Sequence, residues 1–109
     1  MKTTVDYLDA VKARLDLPSD YAAAKALGVT RAAVSRHRNG LSVFDEATAV
    51  RVAEILGIEP IEVISACKAE GSTDAHMREV WHGVWEKISK GFRTLVLPAN
   101  ARGALFSAA

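Results

Sequence analysis

Sulfur chemistry, long apolar runs and catalytic motifs are all scarce in this sequence, and each shortage closes off a class of protein. Cys67 is the one cysteine in 109 residues, so no intrachain disulfide can form and no metal site can be built from several thiolates. That favours a reducing compartment. Nowhere do about 18 apolar residues follow one another, and the opening "MKTTVDYLDA" has Asp6 and Asp9 where a signal peptide needs its apolar stretch. The expectation is a cytoplasmic protein with no membrane partner. There is no phosphate loop, no H-E-x-x-H and no glycine-rich dinucleotide turn, and Ser35 and His37, two apart on a helix, point away from each other. Neither an enzyme nor a cofactor is expected. His76 and His82 are spaced to different faces of one helix, which argues against a metal site with Cys67.

Acids are missing in one place in particular. "GVTRAAVSRHRNG", residues 28 to 40, holds Arg31, Arg36, Arg38 and His37 without one Asp or Glu, although the chain's formal net charge is only +1. Residues 1 to 68 as a whole balance nine Lys and Arg against nine Asp and Glu. The asymmetry is local, and it marks either a solvated face or a surface that meets an anion.

Half of the residues are apolar and a quarter charged, enough for a packed core. At this length a second full domain does not fit, since compact domains run to about 100 to 150 residues. The apolar spacing is helical throughout. Leu8, Val11 and Leu15 form one stripe, with Thr4 as a candidate N-cap; "LPSD" ends that helix, and Ser19 or Asp20 caps the short "YAAAKAL" that stops at Gly28. Thr30 is placed to cap "RAAVSRHR", which ends at Asn39-Gly40. A fourth helix spans about 45 to 56, with Ser42 and Asp45 as a capping box and Gly57 as terminator. Pro60 opens a fifth, in which Ile61, Ile64 and Cys67 are expected to face inward.

"EGSTD", residues 70 to 74, reads as a linker. Beyond it, Met77, Trp81, Val84 and Ile88 recur at helical spacing with Trp85 beside them, which predicts a sixth amphipathic helix despite Gly83. The short "TLVL" before Pro98 and the terminal "ALFSAA" stay unplaced. The expected fold class is all-α, with residues 1–69 as one domain, 70–74 as linker and 75–109 as a C-terminal helix and apolar tail.

A two-turn helix, a glycine turn and a second short helix bearing the basic residues form a helix-turn-helix arrangement. With small Ala24, Gly28 in the turn, apolar Leu27, Val29 and Val34, and five helices by residue 68, it resembles the DNA-binding regulators of the lambda repressor and Cro type found in phages and prophages. That resemblance implies a five-helix domain whose third helix enters the major groove of double-stranded DNA. It implies that Thr30, Arg31, Ala32, Ser35, Arg36 and Asn39 face bases and nearby phosphates, while Tyr21 approaches the backbone from the other side. Arg31 and Arg36 suit guanine, Thr30, Ser35 and Asn39 support them, and Ala32 suits a thymine methyl. Lys25 and Arg38 are expected on phosphates. His37 departs from the family pattern, which places an apolar residue there. Either its imidazole is buried neutral with a partner or the helix ends differently, and a pH-sensitive switch is the sharper alternative.

The stripe of Met77, Trp81, Val84, Trp85 and Ile88 needs a covering surface. It either folds back on the first domain or pairs with the same helix of a second copy, and a homodimer would let two recognition helices read a palindromic operator. The functional expectation is a sequence-specific transcription regulator, a phage-type repressor. The alternative is an antitoxin-like protein whose residues 75–109 bind a protein partner.

Overall fold

The computed structural model of the chain describes residues 1–91, which are helical and contain no strand. The unplaced "TLVL" and "ALFSAA" lie outside the described residues. Six α-helices follow in order: α1 (Thr4–Arg14), α2 (Asp20–Leu27), α3 (Arg31–Arg38), α4 (Glu46–Leu56), α5 (Pro60–Gly71) and α6 (Ala75–Glu86), the last running into a π-helical turn at Lys87–Gly91.

Local signals set most of these boundaries. Ser19, Thr30 and Asp45 each take extended backbone and accept an N–H from three residues on, at Ala22, Ala33 and Thr48, so three helices start on side-chain caps. Gly28 and Gly57 end α2 and α4 with φ of 71° and 68°, a left-handed conformation that a Cβ would strain.

Two expected caps move. α1 is capped by Thr3 rather than Thr4: the Thr3 hydroxyl accepts from Asp6 N–H at 3.2 Å, and Asp6 accepts in return from Thr3 N–H at 2.9 Å. Thr4 is buried, with its N–H and hydroxyl both donating to Glu70 Oε1, at 2.7 and 2.9 Å. Ser42 takes no part in capping α4, because its hydroxyl lies 3.0 Å from His37 Nδ1.

The core gathers Tyr7, Leu8 and Val11 from α1, Ala23, Ala24 and Leu27 from α2, Val34 from α3, Val52 and Ala53 from α4, and Val63, Ala66 and Cys67 from α5. Leu15 at the end of the α1 stripe is exposed. So is Ile61 in α5, where Cys67 turns inward as expected, Val63 and Ala66 join it in place of Ile61, and Ile64 packs at the margin. Burial pushes the Cys67 thiol up to about 11, so the sulfur is held as an unreactive thiol.

Glu70 and Gly71 belong to α5, and the chain turns into α6 through Ser72, Thr73 and Asp74, whose carboxylate caps α6 at His76 and Met77. α6 packs back along α5 without one fully buried residue. Trp85 is its anchor: the indole packs at the core margin and donates to the Tyr7 hydroxyl at 3.0 Å. Burial pushes the Tyr7 phenol up to about 12, which keeps it neutral as the acceptor.

Candidate nucleic-acid interface

The chain turns from α2 into α3 in three residues, Gly28, Val29 and Thr30. Gly28 N–H donates to Lys25 O and Val29 N–H to Ala24 O, closing the end of α2, while Val29 packs at the core margin. Ala24, Leu27 and Val34 are buried between the two helices and the rest of the core, so α3 sits with one side fixed. Val34 and His37 are its buried residues.

The opposite side of α3 is open. Arg31, Ala32, Ser35, Arg36 and Asn39 are all exposed, at alternating spacings of one and three that place them on a single helical face. Thr30, Lys25 and Tyr21 are exposed beside that face. These eight expected contact residues therefore share one accessible surface, and Arg38, half-buried, lies at its edge.

Several of these side chains are already oriented. The Arg31 guanidinium lies 5.0 Å and the Lys25 ammonium 4.8 Å from the centre of the Tyr21 ring, so one aromatic surface steadies two cations. Arg36 Nη2 donates to Leu41 O at 3.4 Å, and Asn39 Nδ2 to Ser35 O at 2.8 Å, leaving the Asn39 oxygen free of that bond. Between Tyr21, Arg31, Ser35, Asp20 and Arg38 lies a shallow cleft of about 300 Å³.

Arg38 is placed differently from the phosphate contact that the sequence suggests. Its Nε and Nη2 donate to the two oxygens of Asp20 at 3.0 and 2.9 Å, and Nη2 lies 2.8 Å from Asp9 Oδ1. Lys12 Nζ adds a contact to Asp20 at 3.0 Å. The Arg38 hydrogen bonds hold the Asp20 carboxyl down to about 2. Nothing in the local sequence announces this cluster, because its acids sit on α1 and α2. Asp9, Lys12 and Asp20 are the neighbours of Arg38 that periodicity does not reveal.

His37 resolves as a satisfied core residue. Its ring is nearly buried, meets Phe44 edge-on at 4.9 Å, and places Nδ1 3.2 Å from Ser42 O and 3.0 Å from Ser42 Oγ. It thus ties α3 to the loop before α4. The helix does not end early there, since Arg38 completes it and Asn39 caps it.

The chain is similar to a phage protein. Over 84 aligned residues it is 29% identical to "Uncharacterized protein Gp-c" of Pseudoalteromonas phage PM2, covering 72% of this chain and 90% of that protein. No protein-family profile matches the chain, and no solved structure matches it.

The expected self-association residues divide. Met77 is exposed, at 40%, as is its neighbour Val80 at 42%, which that expectation did not include, whereas Trp81, Val84 and Ile88 are half-buried and Trp85 is engaged by Tyr7. Among the described residues no helix is long and apolar enough to cross a membrane.

Proposed function

We propose that this chain is a sequence-specific double-stranded DNA-binding transcription regulator that uses α2, the Gly28 turn and α3 as a helix-turn-helix of the lambda repressor type. The observation that carries the reading is the open face of α3: Arg31, Ala32, Ser35, Arg36 and Asn39 exposed together, with no acid on the helix. Such a helix fits the major groove, where Arg31 and Arg36 can each donate two hydrogen bonds to guanine O6 and N7. Tyr21 and Lys25 flank it at the height of the DNA backbone. Similarity to a phage protein agrees with a place in a viral control circuit.

The regulator acts as a homodimer, because one α3 reads only a few base pairs and a two-fold pair combines two half-sites. Met77 and Val80, with Trp81 and Val84 beside them, supply the self-pairing surface, while Trp85 serves the chain's own fold. Repression follows from occupation of an operator that overlaps a promoter. The same exposed patch on α6 also supports the second reading, an antitoxin-like hold on a protein partner; a partner that co-purifies in stoichiometric amount with the chain would favour it.

The test is selection from a random-sequence duplex library with the purified chain. Enrichment of a two-fold symmetric motif is the expected result. A pool that stays random after repeated rounds would overturn the reading.

A further inference from the structure

We infer that Arg38 is a positioning residue for DNA recognition, fixing through Asp20 and Asp9 how α3 presents Arg31 and Arg36, and that it does not itself contact DNA. The inference rests on the DNA-binding reading above. Three elements meet at this one guanidinium: Arg38 ends α3, Asp20 begins α2, and Asp9 lies within α1. Apart from Arg31 resting on the Tyr21 ring, α3 is seated on α2 by apolar residues, Val34, Ala24 and Leu27, and apolar contact has no preferred direction. A planar fork on both oxygens of one carboxylate does have a direction, and it resists rotation and sliding of the helix that carries it.

Charge argues the same way. Arg38 and Lys12 face Asp9 and Asp20 within 3.0 Å, so the four groups together carry no net charge. A phosphate brought to Arg38 would meet two carboxylates already holding it. Among the described residues Arg31 and Arg36 have no carboxylate partner at hydrogen-bonding distance: one rests on Tyr21 and the other reaches a carbonyl. Of the three arginines on α3, two are free to read DNA and the third aims them.

The experiment compares the full chain with Arg38→Lys, Asp20→Asn and Asp9→Asn, using Lys25→Ala as a phosphate-contact control. Each is titrated against the duplex selected by the wild type and against a random duplex, at several salt concentrations and well below the melting temperature. A lysine keeps the charge of Arg38 and loses the fork. The expected result is a loss of roughly tenfold on the selected duplex for Arg38→Lys and Asp20→Asn, with less than about threefold on random DNA and an unchanged salt slope. Asp9→Asn, which leaves the grip of Asp20 intact, shifts the same way by about two- to threefold.

Wild-type affinity in Arg38→Lys together with tighter binding in Asp20→Asn would show Arg38 on a phosphate and overturn the inference. Equal losses on both duplexes would reduce the cluster to a prop for stability, which also overturns it. Failure of the DNA-binding reading itself is visible separately, as a wild type that does not distinguish the two duplexes.

Discussion

α3 and α6 both leave much of their surface uncovered, and they do so with opposite chemistry. α3 shows arginines, serine and asparagine, and it is held along its length by the Thr30 cap, by Val34 and His37 in the core, and by the Arg38 grip. α6 shows Met77 and Val80 to solvent, packs along α5 without a buried residue of its own, and donates one hydrogen bond to the core through Trp85 on Tyr7. A polar face on a rigid support can read hydrogen-bonding patterns, because its donors are aimed before the ligand arrives. An exposed apolar patch such as Met77 and Val80 is suited to association, where exact aim matters less than area removed from water.

The sharpest way to break this contrast is to remove the support that both helices share. Tyr7→Ala deletes a fully buried ring and leaves Trp85 without its acceptor, and is expected to destabilise the protein by about 3 to 5 kcal/mol in denaturant titrations. On the polar face, Arg31→Ala and Arg36→Ala should each lower affinity for the selected duplex by about 1 to 3 kcal/mol and relax its sequence preference, without a comparable fall in stability. Lys25→Ala should instead weaken all sequences alike and reduce the salt slope by about one. Equal losses on selected and random DNA for the two arginines would erase the distinction between base readers and backbone contacts.

Smaller effects separate the anchor of α6 from its exposed patch. Trp85→Phe keeps most of the packing and loses one hydrogen bond, which predicts a loss of about 1 kcal/mol in thermal unfolding. Met77→Ala with Val80→Ala should change the stability of the isolated chain by less than about 0.5 kcal/mol, yet lower the dimer fraction in sedimentation. Asp20 adds a pH signature. Its folded-state pKa of about 2 lies below the ordinary 3.8, so its contribution is complete above 3.8 and fades as the pH falls through about 2. The stability gap between wild type and Asp20→Asn should therefore be steady at neutral pH and narrow in acid.

Much of the fold was legible because its signals are local. Ser19, Thr30 and Asp45 cap the helices that follow them, and Gly28 and Gly57 stop helices where only a left-handed residue fits. What escaped depends on distant partners. Thr4 is claimed by Glu70 from the far end of α5, so the cap of α1 falls to Thr3. Apolar residues at 61, 63 and 64 leave the facing of α5 open to sequence reasoning, and packing against α1 and α4 chooses Val63 over Ile61. The exposed face of α3 followed from periodicity and resemblance together. That Arg38 is held by carboxylates at the edge of that face could not, since they are brought to it only by the fold.

The most direct measurement is fluorescence-anisotropy binding of the intact protein to the library-selected duplex and to a scrambled one, at about 50 and about 200 mM salt. Binding that is salt-dependent and about a hundredfold or more tighter to the selected duplex is the predicted result. Equally feeble binding to both would contradict it, and would leave the open face of α3 as a solvated arginine surface.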